Sequence, residues 1–567
     1  MKLKYYGYLL GCSLFMSACH DLDLNPLSNG STENWYQDEA EVEMAVNELY
    51  RTMFWIQDGS EYTDWSDDYQ NRGTLREFEN ATLNGQTAEV TDRWNNMYKL
   101  VARANGVIER QDLAIKNGAN ANKINILVGE AYFCRAHAYS ELVFKWGDVP
   151  LVTGQLTIDE AFQLGRTPKA EVLKLIYDDF DHAIAVLPVT STGMHRATKG
   201  AALALKARIA LRMNDYSVAA DAAKACMDLN AYSLESDYAG MFYQNQLESK
   251  EFIFVAPRSV ENDDYIRDAI TRNHFPRNTQ GFCAIYPTWD LFAAYTCTDG
   301  LPIDESPLFD SHDPFLNRDP RLSMTIVPFG INHLGVEYNP RPDVDKVMDY
   351  DNNKMVDNLA PRTKHTYASW TGLVWRKGID RSWFDNGYKI APPRIICRYA
   401  DVLLMYAEAK IELGQIDQSV LDAMNKVRAR AYGVDYTAVS QYPAFTTTDQ
   451  SKLRSQLRME RRMEFPMECL RYADLIRWHL SEISMNRKLY GLPYSNGEVP
   501  TAEKLADWFW PYAPEIDENG LADFSRFEAE GKAVSLAQRI WDNRMYLWPI
   551  PTAEIVINPN MTQNPGY

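Results

Sequence analysis

The chain has 567 residues, of which 46% are hydrophobic and 24% charged, and its formal net charge is −19. The apolar fraction predicts a folded core, and at roughly 150 residues per domain the length allows three or four domains or one large fold. The sequence has no basic run that would neutralise phosphates, so it argues against a nucleic-acid-binding protein.

The N-terminus has the pattern of a bacterial export signal. Lys2 and Lys4 precede a short apolar stretch, and small residues lead up to Cys19. This stretch is shorter than the roughly 18 residues that span a bilayer. A Cys directly after the cleavage site resembles a lipoprotein signal, in which the thiol receives the lipid. We therefore predict a signal peptide over residues 1–18, lipidation at Cys19 and an acidic tether over residues 19–35.

Apolar residues recur at helical spacing through residues 36–249. The clearest unit is residues 197–230, where Leu203 and Ala207 lie on one helical face and Asn214 marks a turn before a returning helix. Small Ala residues let two helices pack closely, which is typical of a tetratricopeptide helix pair. A second pair is predicted over residues 398–432. Further helices are predicted over residues 36–56, from Trp94 onward, and over about 122–146, 169–187 and 449–480, the last interrupted at Pro466.

Residues 250–395 have almost no helical periodicity and are rich in Pro, Gly, Asn and aromatic residues. Short strands are predicted at residues 252–255 and 323–327, and the tail from residue 485 is predicted to be irregular because Pro recurs there. The predicted fold is mainly α. A tetratricopeptide-like helix-pair scaffold covers residues 36–249, a loop-rich ligand-binding insertion covers 250–395, and a helical pair with an irregular tail covers 396–567.

Catalytic and metal-binding signatures are absent from the sequence. No nucleophile elbow, zinc-protease motif, dinucleotide-binding glycine motif or P-loop occurs, and the nine His are scattered. The Cys residues show no Cys-x-x-Cys spacing, so we predict no zinc site, no metal and no cofactor. Cys283 and Cys297 lie in the loop-rich region and could pair, which the sequence leaves open.

A cluster of charged residues lies on the last predicted helical segment at short spacings. Charge runs on helices are usually solvated or paired, so we interpret this cluster as an ion-pair network that locks the last helices. Its members are Glu460, Arg461, Arg462, Glu464, Glu468, Arg471 and Asp474.

Three segments mix aromatic and polar side chains outside helical periodicity. A sugar ring has an apolar C–H face and a polar hydroxyl rim, so such mixtures suit carbohydrate binding. Each Trp could instead fill the core under its own loop. The first choice is Trp65 with Tyr62 and Asp67. The predicted substrate-binding residues are Trp65, Tyr62, Asp67, Trp55, Arg72, Tyr286, Trp289 and Trp375; the same segments also hold Arg272, Asn273, Asp290, Tyr367, Trp370, Arg376, Trp383 and Tyr388.

An ordered set of motifs from Cys19 to Tyr567 resembles the SusD/RagB family of nutrient-uptake outer-membrane lipoproteins of Bacteroidetes. The set comprises Trp146-Gly147-Asp148-Val149-Pro150, Asn317-Arg318-Asp319-Pro320-Arg321, the run 398–409, Pro549-Ile550-Pro551 and Asn564-Pro565-Gly566-Tyr567. The resemblance implies a non-catalytic glycan-binding lipoprotein, anchored in the outer membrane and facing the cell exterior. It also implies a SusC-like TonB-dependent transporter as the partner that receives the glycan.

Three other functions remain open at this point. Related members serve peptide uptake, so a RagB-type peptide-uptake lipoprotein is the nearest alternative. A lipid-anchored glycosidase needs only two carboxylates, and the sequence has adjacent pairs at Asp67-Asp68 and Asp263-Asp264. A structural helical-repeat adaptor is the third.

Overall fold

The computed structural model describes residues 35–57, 65–73, 75–191, 195–243, 248–385 and 387–567. The predicted signal peptide, Cys19, most of the tether and Tyr62 lie outside the described residues. The α-helices span Glu39–Asn47, Ala88–Glu109, Gln111–Lys116, Ala121–Trp146, Ile158–Gln163, Lys169–Val186, Lys199–Arg212, Tyr216–Asp228, Asp268–Arg272, Trp289–Ala294, Pro320–Thr325, Ser382–Asp385, Tyr399–Glu412, Gln418–Ala431, Gln450–Glu464, Arg471–Arg477, Ser481–Ser484, Ala502–Ala506, Ser525–Ala529 and Thr552–Ile557.

Strands are short and form small antiparallel sheets. They span Tyr69–Asn71, Phe252–Ala256, Ile285–Pro287, Ile331–His333, Val336–Tyr338, Lys346–Asp349, Lys354–Asp357, Arg394–Arg398, Lys488–Gly491, Glu515–Ile516, Ala522–Asp523 and Val534–Gln538. The four strands between residues 331 and 357 form one sheet in chain order, and the others pair two by two. Short 3₁₀ helices cover Glu48–Tyr50, Thr52–Phe54, Gly240–Phe242, Arg277–Thr279 and Asn543–Tyr546.

The first predicted helix pair is confirmed. The helix Lys199–Arg212 begins at Thr198, whose hydroxyl accepts a hydrogen bond from the Ala201 N–H at 3.1 Å. Asn214 makes the turn with a φ of 61°, a left-handed conformation that Asn tolerates better than most residues. The helix Tyr216–Asp228 then returns along the first helix.

The second pair, Tyr399–Glu412 and Gln418–Ala431, is also confirmed. Gly414 supplies the left-handed turn with a φ of 67°, and the Asp417 side chain caps the returning helix. The helix Tyr399–Glu412 packs directly against Tyr216–Asp228. The two pairs are therefore neighbours in one helical scaffold, although a large insertion separates them in the sequence.

The insertion starts and ends at one strand pair. The predicted strand is present as Phe252–Ala256 and pairs antiparallel with Arg394–Arg398. The strand predicted over residues 323–327 is wrong, because a helix covers Pro320–Thr325. Its start is specified by Asp319, which caps the helix, and by a Pro in the first turn. The boundaries at 250 and 395 stay a prediction.

The C-terminal tail is irregular but tightly attached to the scaffold. The Trp146 indole donates to the carbonyl of Pro549 at 2.8 Å. The Asn564 amide donates to the carbonyls of Trp146 at 3.1 Å and Trp548 at 2.7 Å. Residues from motifs that lie about 400 positions apart in the sequence therefore meet at the end of the helix Ala121–Trp146.

The predicted ion-pair network is present and is buried. Glu464 accepts from Arg321 at 2.9 Å and from Arg398 at 2.7 Å, and it also pairs with Arg430. Arg398 and Arg430 meet again at Glu251, at 2.6 and 3.0 Å. Burial acts to raise the pKa of Glu464, but the Arg430, Arg398 and Arg321 guanidiniums outweigh it and lower that pKa to about 2.

Two further sequence questions are settled by the described residues. Cys283 and Cys297 are buried free thiols and form no disulfide. Among the residues that the structure describes, no helix combines the length and the apolar character needed to cross a bilayer.

We expect Arg398→Met to lower the free energy of unfolding by about 3–5 kcal/mol, because it leaves buried carboxylates without their shared partner. Chemical denaturation measures the loss. The matched control is Arg51→Met, since Arg51 is 55% exposed and its ion-pair partner among the described residues is the exposed Glu48; its cost should be about 0–1 kcal/mol. Equal costs for the two variants would contradict the assigned role of the network.

Candidate functional site

The two Trp residues predicted first for ligand binding belong to the core. Trp65 is 3% exposed and its ring stacks on Phe78 with centroids 3.9 Å apart. Trp55 is 1% exposed and stacks on His137 at 4.2 Å, and its indole donates to the carbonyl of Leu49. The prediction that these rings receive a ligand is wrong, because neither ring has a face open to solvent.

Asp67 is also structural. Its carboxylate accepts two hydrogen bonds from Arg471, each 2.9 Å, and lies 3.1 Å from Arg462. Burial alone would raise the pKa of Asp67, but Arg462 and Arg471 outweigh it and hold that pKa well below its usual range. Asp68 pairs with Arg462 at 2.8 Å. The predicted role of Asp67 in binding a ligand is therefore wrong.

The predicted residues of the insertion, Tyr286, Trp289 and Trp375, are at most 1% exposed. Tyr286 lies in the strand Ile285–Pro287, and the Trp289 indole donates to the carbonyl of Thr371 at 2.9 Å. These aromatic residues fill cores within the loop-rich region, which lacks long helices to do so. Their predicted role as an exposed binding platform is wrong for the same reason as for Trp65.

Arg72, in contrast, reaches the surface. The strand Tyr69–Asn71 pairs with Ile285–Pro287, and Arg72 follows it directly. One guanidinium nitrogen, Nη1, donates to the carbonyls of Phe282 and Cys283, both at 2.9 Å. The guanidinium carbon lies 4.6 Å from the ring centroid of Tyr367. The structure thus brings Arg72 to an aromatic residue of the third predicted segment.

Tyr367 is 52% exposed and lies in a tight turn. Its N–H donates to Nδ1 of His365 at 3.0 Å. Trp370, half-buried, follows three residues later and is contacted by Arg362, whose guanidinium carbon lies 4.9 Å from the ring centroid. This turn therefore presents two aromatic rings, each paired with one arginine.

A third arginine links two more rings on the other side of Arg72. The Arg272 guanidinium carbon lies 4.5 Å from the ring centroid of Phe282 and 5.0 Å from that of Tyr388. Its Nε and Nη2 donate to the carbonyl of Gln280 at 3.0 and 2.7 Å. We call these side chains together the arginine–aromatic surface: Arg72, Arg272, Phe282, Arg362, Tyr367, Trp370 and Tyr388.

The loop that carries Phe282 has a fixed conformation. Gly281 packs so closely on Phe275 that an added Cβ would lie 2.0 Å from the Phe275 carbonyl oxygen. The Gly281 carbonyl in turn accepts from Arg277. The surface therefore offers preformed aromatic faces beside fixed guanidinium donors, an arrangement that suits a ligand with apolar faces and a polar rim.

Other parts of the described chain are weaker candidates. A cavity of about 370 Å³ adjoins the strand Phe252–Ala256, but its Phe254 is buried and its Arg196 is paired with Glu130 at 3.0 Å. Within the described ranges, no group of three or more His, Cys, Asp or Glu side chains could hold a metal ion. Of the predicted residues that the structure describes, Arg72 stays a prediction as a ligand contact, now with rings that the sequence ranked lower, and Tyr62, outside the described residues, also stays a prediction.

Comparisons with known proteins cover nearly the whole chain. The sequence model of the SusD family matches residues 250–567, and a model described as starch-binding, associating with outer membrane, matches residues 23–211. SusD-like protein P2 of Formosa agariphila is 25% identical over all of both chains. SusD-like protein P25 of the same organism is 27% identical over 81% of this chain and 86% of its own length.

Solved structures agree with the fold. A SusD-like carbohydrate-binding protein from Bacteroides fragilis is 28% identical and superposes with a TM-score of 0.73, covering 93% of this chain and 99% of its own. A second SusD-like protein from the same species is 24% identical with a TM-score of 0.72, covering 94% of this chain and 98% of its own. The mainly α, tetratricopeptide-like scaffold is the fold that these structures share with this chain.

We expect Trp65→Ala to lower the free energy of unfolding by about 3–5 kcal/mol, because it opens a cavity beside Phe78 in the core. Tyr367→Ala, at the exposed surface, should change it by less than about 0.5 kcal/mol. Thermal and chemical denaturation of both variants measures the difference. A Trp65→Ala protein as stable as the parent would contradict the assignment of Trp65 to the core.

Proposed function

The chain belongs to the SusD family, and from this premise we propose that it is a cell-surface protein that binds glycans at the arginine–aromatic surface. The observation that carries the proposal is the row of exposed or half-buried rings, Phe282, Tyr367, Trp370 and Tyr388, interleaved with arginines. Aromatic rings stack on the C–H faces of sugars, and guanidinium N–H groups donate to the hydroxyl rim.

The proposed role is binding without cleavage. A glycosidase needs two carboxylates that face one glycosidic bond from opposite sides. The Asp67-Asp68 pair is buried and engaged by Arg462 and Arg471. At the arginine–aromatic surface, the carboxylate that forms an ion pair among the described residues is that of Asp268, whose Oδ1 lies 3.8 Å from Nε of Arg272. The chemistry of this surface therefore favours recognition over hydrolysis.

We further propose that Cys19 carries a lipid that anchors the protein in the outer membrane, facing the cell exterior. A SusC-like TonB-dependent transporter would then receive the bound oligosaccharide. Support comes from the lipoprotein pattern at Cys19 and from membership of the SusD family. In this arrangement the tether restricts the protein to the neighbourhood of the transporter and raises its effective concentration there.

We expect the full-length chain, purified in detergent, to bind at least one polysaccharide in affinity electrophoresis against a panel of neutral and acidic glycans. Tyr367→Ala and Trp370→Ala should each weaken that binding about ten-fold, equivalent to about 1.4 kcal/mol, because each removes a stacking face. Calorimetry with the same ligand gives the affinities.

The matched control is Tyr512→Ala, since Tyr512 also stacks beside an arginine, Arg526, but outside the arginine–aromatic surface. It should leave glycan affinity unchanged. Binding of peptides and of no glycan would defeat the proposal in favour of peptide uptake. Release of shortened products from a bound glycan would establish a glycosidase instead.

Cys19→Ala tests the anchor separately. We expect this variant to be released from the membrane and to lose glycan uptake by cells, while the purified protein keeps its glycan affinity, because binding and anchoring reside in different parts of the chain. Membrane fractionation, uptake assays and calorimetry measure the three properties. Retention in the outer membrane without Cys19 would contradict the proposed anchor.

A further inference from the structure

The arginine–aromatic surface differs in charge from the rest of the molecule. The chain has a formal net charge of −19, yet three arginines belong to this surface: Arg72, Arg272 and Arg362. A fourth, Arg277, donates to the carbonyl of Gly281, directly before Phe282. Arg72, Arg277 and Arg362 form no ion pair with any carboxylate of the described residues. For Arg272 the one pairing carboxylate is Asp268, at 3.8 Å.

Backbone carbonyls, not carboxylates, hold these guanidiniums in place. Arg72 is bound by the carbonyls of residues 282 and 283, and Arg362 donates to the carbonyl of Leu492 at 2.9 Å. A carbonyl fixes the orientation of a guanidinium but leaves its full positive charge uncompensated. Another surface arginine stacked on a ring does have a counter-charge: Arg526 contacts Tyr512 and pairs with Glu530 at 2.9 Å.

Acidic residues near this surface are already engaged. Glu498, which influences Arg362 electrostatically, pairs with Lys504 at 2.8 Å. Asp345 pairs with Lys364 at 2.5 Å. Burial lowers the pKa of Arg362 and outweighs the opposing effect of Glu498.

Donor groups remain available for a ligand. A guanidinium has five N–H donors, and Arg72 and Arg362 each use one nitrogen in the contacts described. Nε of Arg277 is buried and has no hydrogen-bond partner among the described residues, so Arg277 adds positive charge here but its Nε is not a donor for the ligand. His365, whose Nδ1 accepts from the N–H of Tyr367, has a pKa that is lowered by burial and then by the charges of Arg277 and Arg72. Uncompensated positive charge is thus concentrated beside Tyr367.

We propose that the arginine–aromatic surface selects acidic glycans, with ligand carboxylate or sulfate groups at Arg72 and Arg362 and sugar faces on Tyr367 and Trp370. The inference rests on the proposed glycan-binding function and specifies its substrate class. Arginine suits this role because its planar fork pairs with both oxyanions through two parallel hydrogen bonds. The aromatic rings restrict recognition to anions that are attached to an apolar sugar face.

Two pairs of polymers test this proposal, and the members of each pair differ in one kind of anionic group. The full-length chain is titrated with polygalacturonate and its uncharged methyl ester, and with chondroitin sulfate and its desulfated form, which keeps its carboxylates. We expect the member that carries the additional anionic group to bind at least about ten-fold more tightly in at least one pair, a difference of about 1.4 kcal/mol. The pair that shows the difference identifies carboxylate or sulfate as the recognised group.

Variants then assign the effect to residues. Arg72→Gln and Arg362→Gln should each weaken binding of the more anionic member of that pair about ten-fold or more, the scale of one hydrogen-bonded charge pair, and weaken binding of its partner about two-fold or less. Arg526→Gln is the matched control and should change neither affinity. Because Arg72 and Arg362 each also hold backbone carbonyls, near-UV circular dichroism of both variants keeps the test independent of loop damage.

Ionic strength gives a second readout. Raising it from about 0.15 M to about 1 M shortens the Debye length from about 8 Å to about 3 Å. Binding of the more anionic member of that pair should weaken over this range, and binding of its partner should weaken less.

The outcomes separate the two proposals. Equal affinity for both members of both pairs would overturn the acidic class while leaving glycan binding intact. Binding of peptides and of no polymer would overturn glycan binding itself. If the Arg72 and Arg362 variants keep acidic-glycan affinity but lose binding to the purified transporter, the surface is a protein interface and the inference is wrong.

Discussion

A buried guanidinium–carboxylate network holds the fold together. Glu464 is shared by Arg321 from the insertion, Arg398 from the strand that ends the insertion, and Arg430 from the second helix pair. Replacing the whole of such a network with apolar residues of similar volume can leave a protein equally stable. Removing one member is costly, because it leaves a buried charge unpaired. Three distant parts of the chain can satisfy these charges in one relative arrangement, so the network specifies how the insertion sits on the scaffold.

The same constraint reaches the candidate site. Arg462 and Arg471, from the helical segment next to Glu464, fix Asp67 and Asp68 in the interior. The strand Tyr69–Asn71 begins immediately after this pair, and Arg72 follows the strand. Asp67 and Asp68 therefore do not contact the ligand themselves. They anchor the start of this strand, and this anchoring determines where Arg72 meets Phe282 and Tyr367.

Local sequence patterns predicted the scaffold and failed at the site. Helical periodicity, caps and turn residues are local, and both helix pairs were found from them. The aromatic segments share one composition, yet Trp65, which precedes the insertion, is buried and Tyr367, within the insertion, is exposed. Long-range contacts distinguish the two residues. The Trp65 ring stacks on Phe78, and its centroid lies 5.3 Å from that of Trp548, near the C-terminal end of the chain. The helix at Pro320 was locally visible in its Asp-Pro start and was missed.

Charge distribution connects the scaffold to ligand choice. Buried arginines of the network need buried carboxylates, so their charges cancel inside the protein, whereas the arginines of the arginine–aromatic surface are held by neutral carbonyls. At physiological ionic strength the Debye length is about 8 Å, so the net charge of the chain is largely screened at the distance of an approaching polymer. Contacts within hydrogen-bond distance are screened far less. A mostly neutral sugar chain with occasional acidic groups would therefore meet little long-range repulsion and could still pair with Arg72 and Arg362.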